Sequence, residues 1–170
     1  MSDGPENYAQ EKLLELEALA ERIAEHRAAG EIVGLCHGCF DILHLGHLRH
    51  FIAAREQCDR LVVTVTPDRF VGKGPDRPVF AAEHRAELIA GLAVVSYVGV
   101  NRWPSAVETL RLLKPSRYFK GREYDLRPEQ VNPNFLLEAE AVREAGGEVA
   151  FTDGFVLSSS AAWSRVKSSV

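Results

Sequence analysis

Apolar residues recur along this chain at two periods. Leu13, Leu14, Leu16, Leu19, Ile23 and Ala24 recur at helical spacing, which predicts a helix over 13–29 that stops at Gly30. Residues 31–38 form a short apolar run ending in glycine, read as a buried strand. Helical spacing returns over 48–58, with Phe51, Ile52 and Ala54 on one side. The β-branched stretch 61–66, closed by Pro67, predicts a second strand. Glycine and proline make 72–78 a loop. A helix over 81–91, a strand over 93–100, a helix over 104–113 and a strand over 117–120 follow. The remaining elements are a helix over 133–145 with proline in its first turn, a fifth strand over 147–152 and a short helix over 158–166.

Strands that alternate with crossover helices predict a parallel sheet covered on both faces, a five-stranded Rossmann-like α/β/α sandwich. The 170 residues fit one domain, 1–170, with 1–30 as an N-terminal helical extension. Hydrophobic residues at 46% and charged residues at 26% are ordinary for a globular protein. No apolar run approaches the roughly 18 residues that span a bilayer, and the acidic, polar N-terminus does not resemble a targeting segment. The expectation is therefore a cytoplasmic protein with no membrane partner. A net charge of −4 argues against a nucleic-acid partner. The odd, low count of cysteines (Cys36, Cys39 and Cys58) gives no disulfide framework.

In an open parallel sheet the ligand lies beyond the carboxyl ends of the strands. The first such end here is Gly38-Cys-Phe-Asp-Ile-Leu-His-Leu-Gly-His47. Gly38 permits a close turn, and Gly46 leaves the start of the next helix open to a ligand approaching its amides. His44 and His47, three apart, share a face on a first helical turn and offer two imidazoles to phosphoryl oxygens. His50 extends the run but is expected outside the pocket or at its edge. Asp41 precedes the histidines on the tight connection and is expected to turn or cap the loop rather than ligate metal.

This Gly-Cys-Phe-Asp-Ile-Leu-His-Leu-Gly-His segment resembles the HxGH signature of the cytidylyltransferase-like nucleotidyltransferases. The likeness is nearest to the adenylyltransferase domain of bacterial ADP-heptose synthesis, with glycerol-3-phosphate cytidylyltransferases a step further away. It runs from Arg27-Ala-Ala-Gly30 through Lys73-Gly-Pro-Asp-Arg-Pro-Val79 and the helix carrying Arg85. It continues in Phe119-Lys-Gly-Arg-Glu-Tyr124, Gly146-Gly-Glu-Val149 and Ser158-Ser-Ser160. The likeness weakens between Asn101 and Pro133, and Ser96 stands where relatives usually carry aspartate.

The resemblance implies attack by a substrate phosphate oxygen on the α-phosphorus of an NTP, with release of pyrophosphate. It assigns His44, His47 and Lys120 to catalysis. It assigns Gly38, Cys39, Phe40, Asp41, Gly46, Gly121, Ser158, Ser159 and Ser160 to the nucleotide, with Ser159 and Ser160 not separated. Lys73, Arg77, Arg85 and Arg122 fall to phosphate or acceptor binding; Lys73 suits either donor or acceptor, and Arg85 equally suits a helix-surface ion pair. Arg122-Glu123 departs from the pattern, adds a cation and leaves the acceptor open. Serines before a helix are also ordinary N-caps. The likeness leans toward ATP and a heptose or other sugar 1-phosphate, with CTP and a phosphorylated polyol or phosphonate as the alternative. Mg²⁺ and a homodimer are implied with it, and no protein-held metal site.

Readings from other classes stand beside this one. Cys36-His-Gly-Cys39 is a CxxC motif, but the connection to His44 and His47 is far shorter than a zinc finger's, and Cys36 lies in a strand. Class I aminoacyl-tRNA synthetases share a similar motif but need parts that a chain of 170 residues cannot supply. A nucleotide-sensing module that binds without turnover is the third.

Overall fold

The computed structural model describes residues 5–126 and 134–153; Ser158, Ser159, Ser160, the expected helix over 158–166 and the loop 127–133 lie outside the described residues. The chain opens with α1 (Pro5–Gln10) and α2 (Leu16–Ala28). It then runs through β1 (Val33–Gly38), α3 (Leu45–Arg55), β2 (Arg60–Val65), α4 (Ala82–Ala90), β3 (Tyr97–Val100) and α5 (Val107–Leu113). β4 (Arg117–Gly121), a short α6 (Glu123–Leu126), α7 (Phe135–Glu144) and β5 (Glu148–Thr152) complete it. The five strands are parallel in the order β3-β2-β1-β4-β5, as the alternation of elements predicts.

Burial on both faces explains the near-continuous apolar strands. Cys36, Leu61, Val63, Val65 and Phe119 pack with Ala9, Phe51, Ala54, Ala86 and Ile89 from α1, α3 and α4. Val33, Leu35, Val62 and Tyr118 pack instead with Leu19, Ile23, Leu110 and Val142 from α2, α5 and α7. Adjacent residues of one strand thus enter different clusters, the two-residue period of extended chain. Gly34 lets β1 meet Phe119 directly: a Cβ there would collide with the Phe119 ring.

Several boundaries differ from the pattern; two of the differences have a tertiary reason and a third a local one. The first long helix starts at Leu16, because the backbone around Leu13 and Leu14 is extended along β3. Leu14 N–H donates to Val98 O at 2.9 Å and Val98 N–H to Lys12 O at 2.8 Å, which covers the edge of the sheet. β3 starts at Tyr97 rather than at 93, since Ser96 closes a turn onto β2. Its N–H donates to Leu61 O at 2.8 Å, and its Oγ accepts Leu61 N–H at 3.2 Å. α3 starts at Leu45, three residues before the apolar spacing begins, because His44 caps it.

The chain steps outward from β1 through β2 to β3 and then returns to place β4 on the other side of β1. The reversal therefore falls between β1 and β4, and a crevice opens beyond their carboxyl ends.

Candidate active site

β1 ends on His37 and Gly38 and β4 on Lys120 and Gly121. Beyond these ends lie two adjoining cavities of about 240 Å³ each. Phe40, His44, Gly46, His47, His50, Gly121, Glu123 and Thr152 line the first. Thr66, Phe70, Ser105, Asn134 and Glu138 line the second. His37, Gly38, Cys39, Lys73, Lys120 and Tyr124 line both, so the two share a floor.

The turn from β1 into α3 is built around Phe40, whose φ of 48° is a left-handed conformation that a bulky residue seldom adopts. The Phe40 ring packs edge-on against His47 at 5.2 Å and against Phe51 at 5.1 Å, which anchors the turn to the core. Gly38 is required beside it, since a Cβ at that position would meet the Phe40 ring at 2.9 Å. His44 has extended backbone and caps α3, its Nδ1 accepting His47 N–H at 3.4 Å. The two imidazoles stack with centroids 3.7 Å apart and planes 17° from parallel. His44 Nε2 and His47 Nδ1 are buried and find no hydrogen-bond partner among the described residues.

Desolvation lowers the His47 pKa to about 3, with His44, Lys73 and His50 adding to the effect. It lowers that of His44 as well, helped by Lys73. Both rings are therefore neutral at neutral pH, each with one N–H to give. His50 belongs to the cavity rather than lying outside it. Its Nδ1 pairs with Thr152 Oγ1 at 2.6 Å, and burial, then Lys120, lowers its pKa to about 4. The spacing of three that brings His47 in brings His50 in too, because β5 rises beside α3 and supplies Thr152.

Asp41, Arg77 and Arg85 line neither cavity; they hold the surrounding loops. Asp41 accepts Val79 N–H at 2.6 Å and Phe80 N–H at 3.3 Å and pairs with Arg77, whose side chain is 4% exposed. Burial works against the Asp41 charge, but Arg77 and the two amides outweigh it and hold the pKa below the ordinary range. Asp41 thus fixes the loop, as its position suggests, and ties it to the segment that carries Lys73. Arg85 is wholly buried. It donates to Phe80 O at 2.9 Å, Thr66 O at 2.8 Å, Asp68 Oδ1 at 2.6 Å and the carbonyl of Cys39. The structure thus places the Arg85 guanidinium beneath the turn, outside the lining of both cavities and buried rather than on a helix surface. Arg122 is exposed and pairs with Asp153, Nη2 to Oδ2 at 3.2 Å, away from the cavity lining.

Lys73 sits on the exposed loop and reaches both cavities, while Lys120 is 6% exposed between them. Cys39 is half-buried in the floor, and Cys36 is buried in β1, where burial pushes its thiol up. Sequence reasoning missed His37, Glu138 and Thr152 as lining residues, and Thr66, Phe70 and Ser105 with them. A signal existed for two of them. His37 immediately precedes the glycine at a strand's end, and Glu138 is a carboxylate on the apolar stripe of Phe135, Ala139 and Val142.

Two lysines, from a loop and a strand end, meet two imidazoles at the start of a helix in the switch-point crevice of a parallel sheet, an arrangement whose chemistry suits anionic phosphates. Residues 35–153 match the family described as cytidylyltransferase-like, and the chain belongs to that family of nucleotidyltransferases. The bifunctional protein HldE of Gluconacetobacter diazotrophicus is 41% identical over 143 residues, 83% of this chain and 28% of its own length. HldE of a Bradyrhizobium strain is 41% identical over 148 residues, 85% of this chain and 29% of its own. This chain therefore spans under a third of the length of these relatives. A lipopolysaccharide core biosynthesis protein from Thermoplasma volcanium superposes with a TM-score of 0.61 at 26% identity, over 75% of this chain and all of that one. A pantoate-beta-alanine ligase from Francisella tularensis shares the fold at a TM-score of 0.56 and 13% identity, over 85% of this chain and 70% of that one.

Proposed function

We propose that the chain transfers an adenylyl group from ATP to a sugar 1-phosphate of the heptose type, releasing pyrophosphate. The observation that carries this is the stacked His44–His47 pair lining the first cavity, whose His44 Nε2 and His47 Nδ1 are buried with no partner among the described residues. Buried polar atoms are normally satisfied, and the oxygens of a triphosphate suit these positions. The acceptor phosphate enters from the second cavity, and the two substrates meet over the shared floor between Lys73 and Lys120. An acceptor oxygen forms the new bond to the α-phosphorus as the bond from that phosphorus to the bridging oxygen of the leaving pyrophosphate breaks. The protein supplies position and charge: two ammonium groups, neutral imidazole N–H donors and the amides of the α3 terminus.

The HldE relatives and the lipopolysaccharide core protein support a sugar phosphate as acceptor. Among the described residues no three His, Cys, Asp or Glu side chains are grouped to hold a metal, and Glu123 is the carboxylate lining the first cavity. This donor set fits Mg²⁺ arriving on the nucleotide, with phosphate oxygens and water as most of its ligands. Among the described residues no helix is long and apolar enough to cross a membrane. The reading includes a cytoplasmic homodimer, which rests on the family resemblance and is tested by sedimentation.

The experiment is pyrophosphate release with Mg²⁺ and each of ATP, CTP, GTP and UTP against sugar 1-phosphates and polyol phosphates. Release with ATP and a sugar 1-phosphate, lost in His47→Ala, supports the reading. Release with CTP and a polyol phosphate replaces both substrates. Tight nucleotide binding with no release from any pair leaves a binding module instead.

A further inference from the structure

We infer that Glu138 is a positioning residue that aims Lys120 at the boundary between the two cavities, an inference that rests on the nucleotidyltransferase reading above. Lys120 Nζ lies 3.2 Å from Glu138 Oε2, and the two side chains are 7% and 3% exposed. The carboxylate is fixed from three elements. It stands on α7, its Oε2 also accepts the Tyr118 hydroxyl of β4 at 2.8 Å, and its Oε1 accepts Ala106 N–H at the start of α5 at 3.4 Å. The ammonium lies 4.9 Å from the centre of the Tyr118 ring and 4.8 Å from that of Tyr124. It is therefore held on three sides by one carboxylate and two aromatic faces, and it borders both cavities on the remaining side.

A buried ion pair is a weak source of stability, because desolvation of both ions offsets their attraction. What the arrangement supplies is direction. A lysine side chain has four rotatable bonds and a strongly hydrated head, yet here its nitrogen is pinned at the switch point. One carboxylate oxygen takes a single N–H of the three that an ammonium carries; phosphoryl oxygens entering from either cavity suit the rest. Cys36, His37, His50 and Tyr124 are titratable groups that feel the pair. The Lys120 and Glu138 charges act on His37 in opposite directions; of the two, Lys120 alone bears on Cys36 and His50, and Glu138 on Tyr124. Burial disfavours the Glu138 charge, but Lys120 and the Tyr118 hydroxyl outweigh it, so the carboxyl stays ionised below its ordinary pKa.

The test is a double-mutant cycle on the full chain with Lys120→Met, Glu138→Gln and the pair. Glu138→Gln keeps side-chain volume and an acceptor for Tyr118. Each single variant is expected to lower kcat about 10–100-fold with KM for the nucleotide changed less than about threefold. The double variant is expected to be no slower than Lys120→Met. Multiplicative losses, or wild-type kcat in Glu138→Gln, overturn the inference. A second readout needs no turnover: limited acetylation followed by mass spectrometry. Lys120 is expected to react about fivefold faster in Glu138→Gln, with Lys73 unchanged as the internal reference. Equal Lys120 rates in both proteins overturn it. Wild-type protein that releases no pyrophosphate refutes the functional reading, while the labelling result still decides whether Glu138 pins Lys120.

Discussion

His44 Nδ1 accepts the backbone N–H of His47 at 3.4 Å while the two rings stack 3.7 Å apart, so one imidazole caps the helix turn that presents the other. The pair is thereby a single unit. Displacing His44 uncaps the first turn of α3 and removes the face on which His47 rests. The expected outcome is that His44→Ala and His47→Ala each lower kcat about 10²–10³-fold. The double variant should be little worse than either, as for groups that act together. Steady-state pyrophosphate release measures this, and fully multiplicative losses count against the unit.

The same burial makes stability depend on pH. In the unfolded chain these imidazoles protonate near pH 6.5; in the fold His37, His47 and His50 are lowered to about 4, 3 and 4. Between those values the unfolded state binds more protons. Stability is therefore complete above about pH 6.5 and falls with acidity, by roughly 1.4 kcal/mol per pH unit for each group. Urea unfolding at pH 7.5, 6 and 5 should show the decline, and His50→Gln should flatten it by about one group's share. An unchanged slope in that variant means that His50 protonates freely in the fold.

Arg85 separates a structural from a ligand-binding role. Its guanidinium serves three carbonyls and Asp68 at once, which a lysine cannot do. Arg85→Lys and Arg85→Met should each destabilise by about 3–5 kcal/mol, through uncompensated buried groups. Chemical denaturation checks this. Stability near wild type together with weakened nucleotide binding would return Arg85 to the phosphates.

Asp41→Asn tests how firmly the Lys73 segment is tied to the histidine turn. The variant keeps the shape but leaves Arg77 buried without its counter-charge. Local opening should then precede global unfolding, and limited proteolysis should cut within 71–80 faster than in wild type. Unchanged cleavage would mean that the two amides alone hold the loop.

Gly38→Ala would bring a Cβ to 2.9 Å from the Phe40 ring, which itself supports His47. Overpacking of this kind costs about 1–3 kcal/mol. Tm should fall, and the His47-dependent part of kcat should fall with it. A stable variant with full activity would show that the Phe40 turn yields without disturbing the histidine.

The parallel sheet was legible because strands buried on both faces must be apolar at every position, as 33–36 and 61–63 nearly are. The histidine turn was legible because a glycine-flanked strand end with two imidazoles three apart is a local pattern, and His44 to His47 is a local geometry. Boundaries that depend on distant partners were not. Leu13 and Leu14 carry helical spacing but pair with Val98, and Ser96 is held by Leu61. Cations were legible by type and not by destination. The sequence placed Lys73 and Arg77 on the loop after the second strand, Arg85 on the helix that follows, and Lys120 and Arg122 at the end of the fourth strand. Only the tertiary structure decided that Lys73 and Lys120 enter the crevice, that Arg77 and Arg85 are sealed under its floor, and that Arg122 turns out to Asp153. The physical reason is that a charge goes where its desolvation is compensated. The partners that compensate it, Asp41, Asp68, Glu138 and the carbonyls of Cys39 and Thr66, come from other elements and meet it only once the chain has folded.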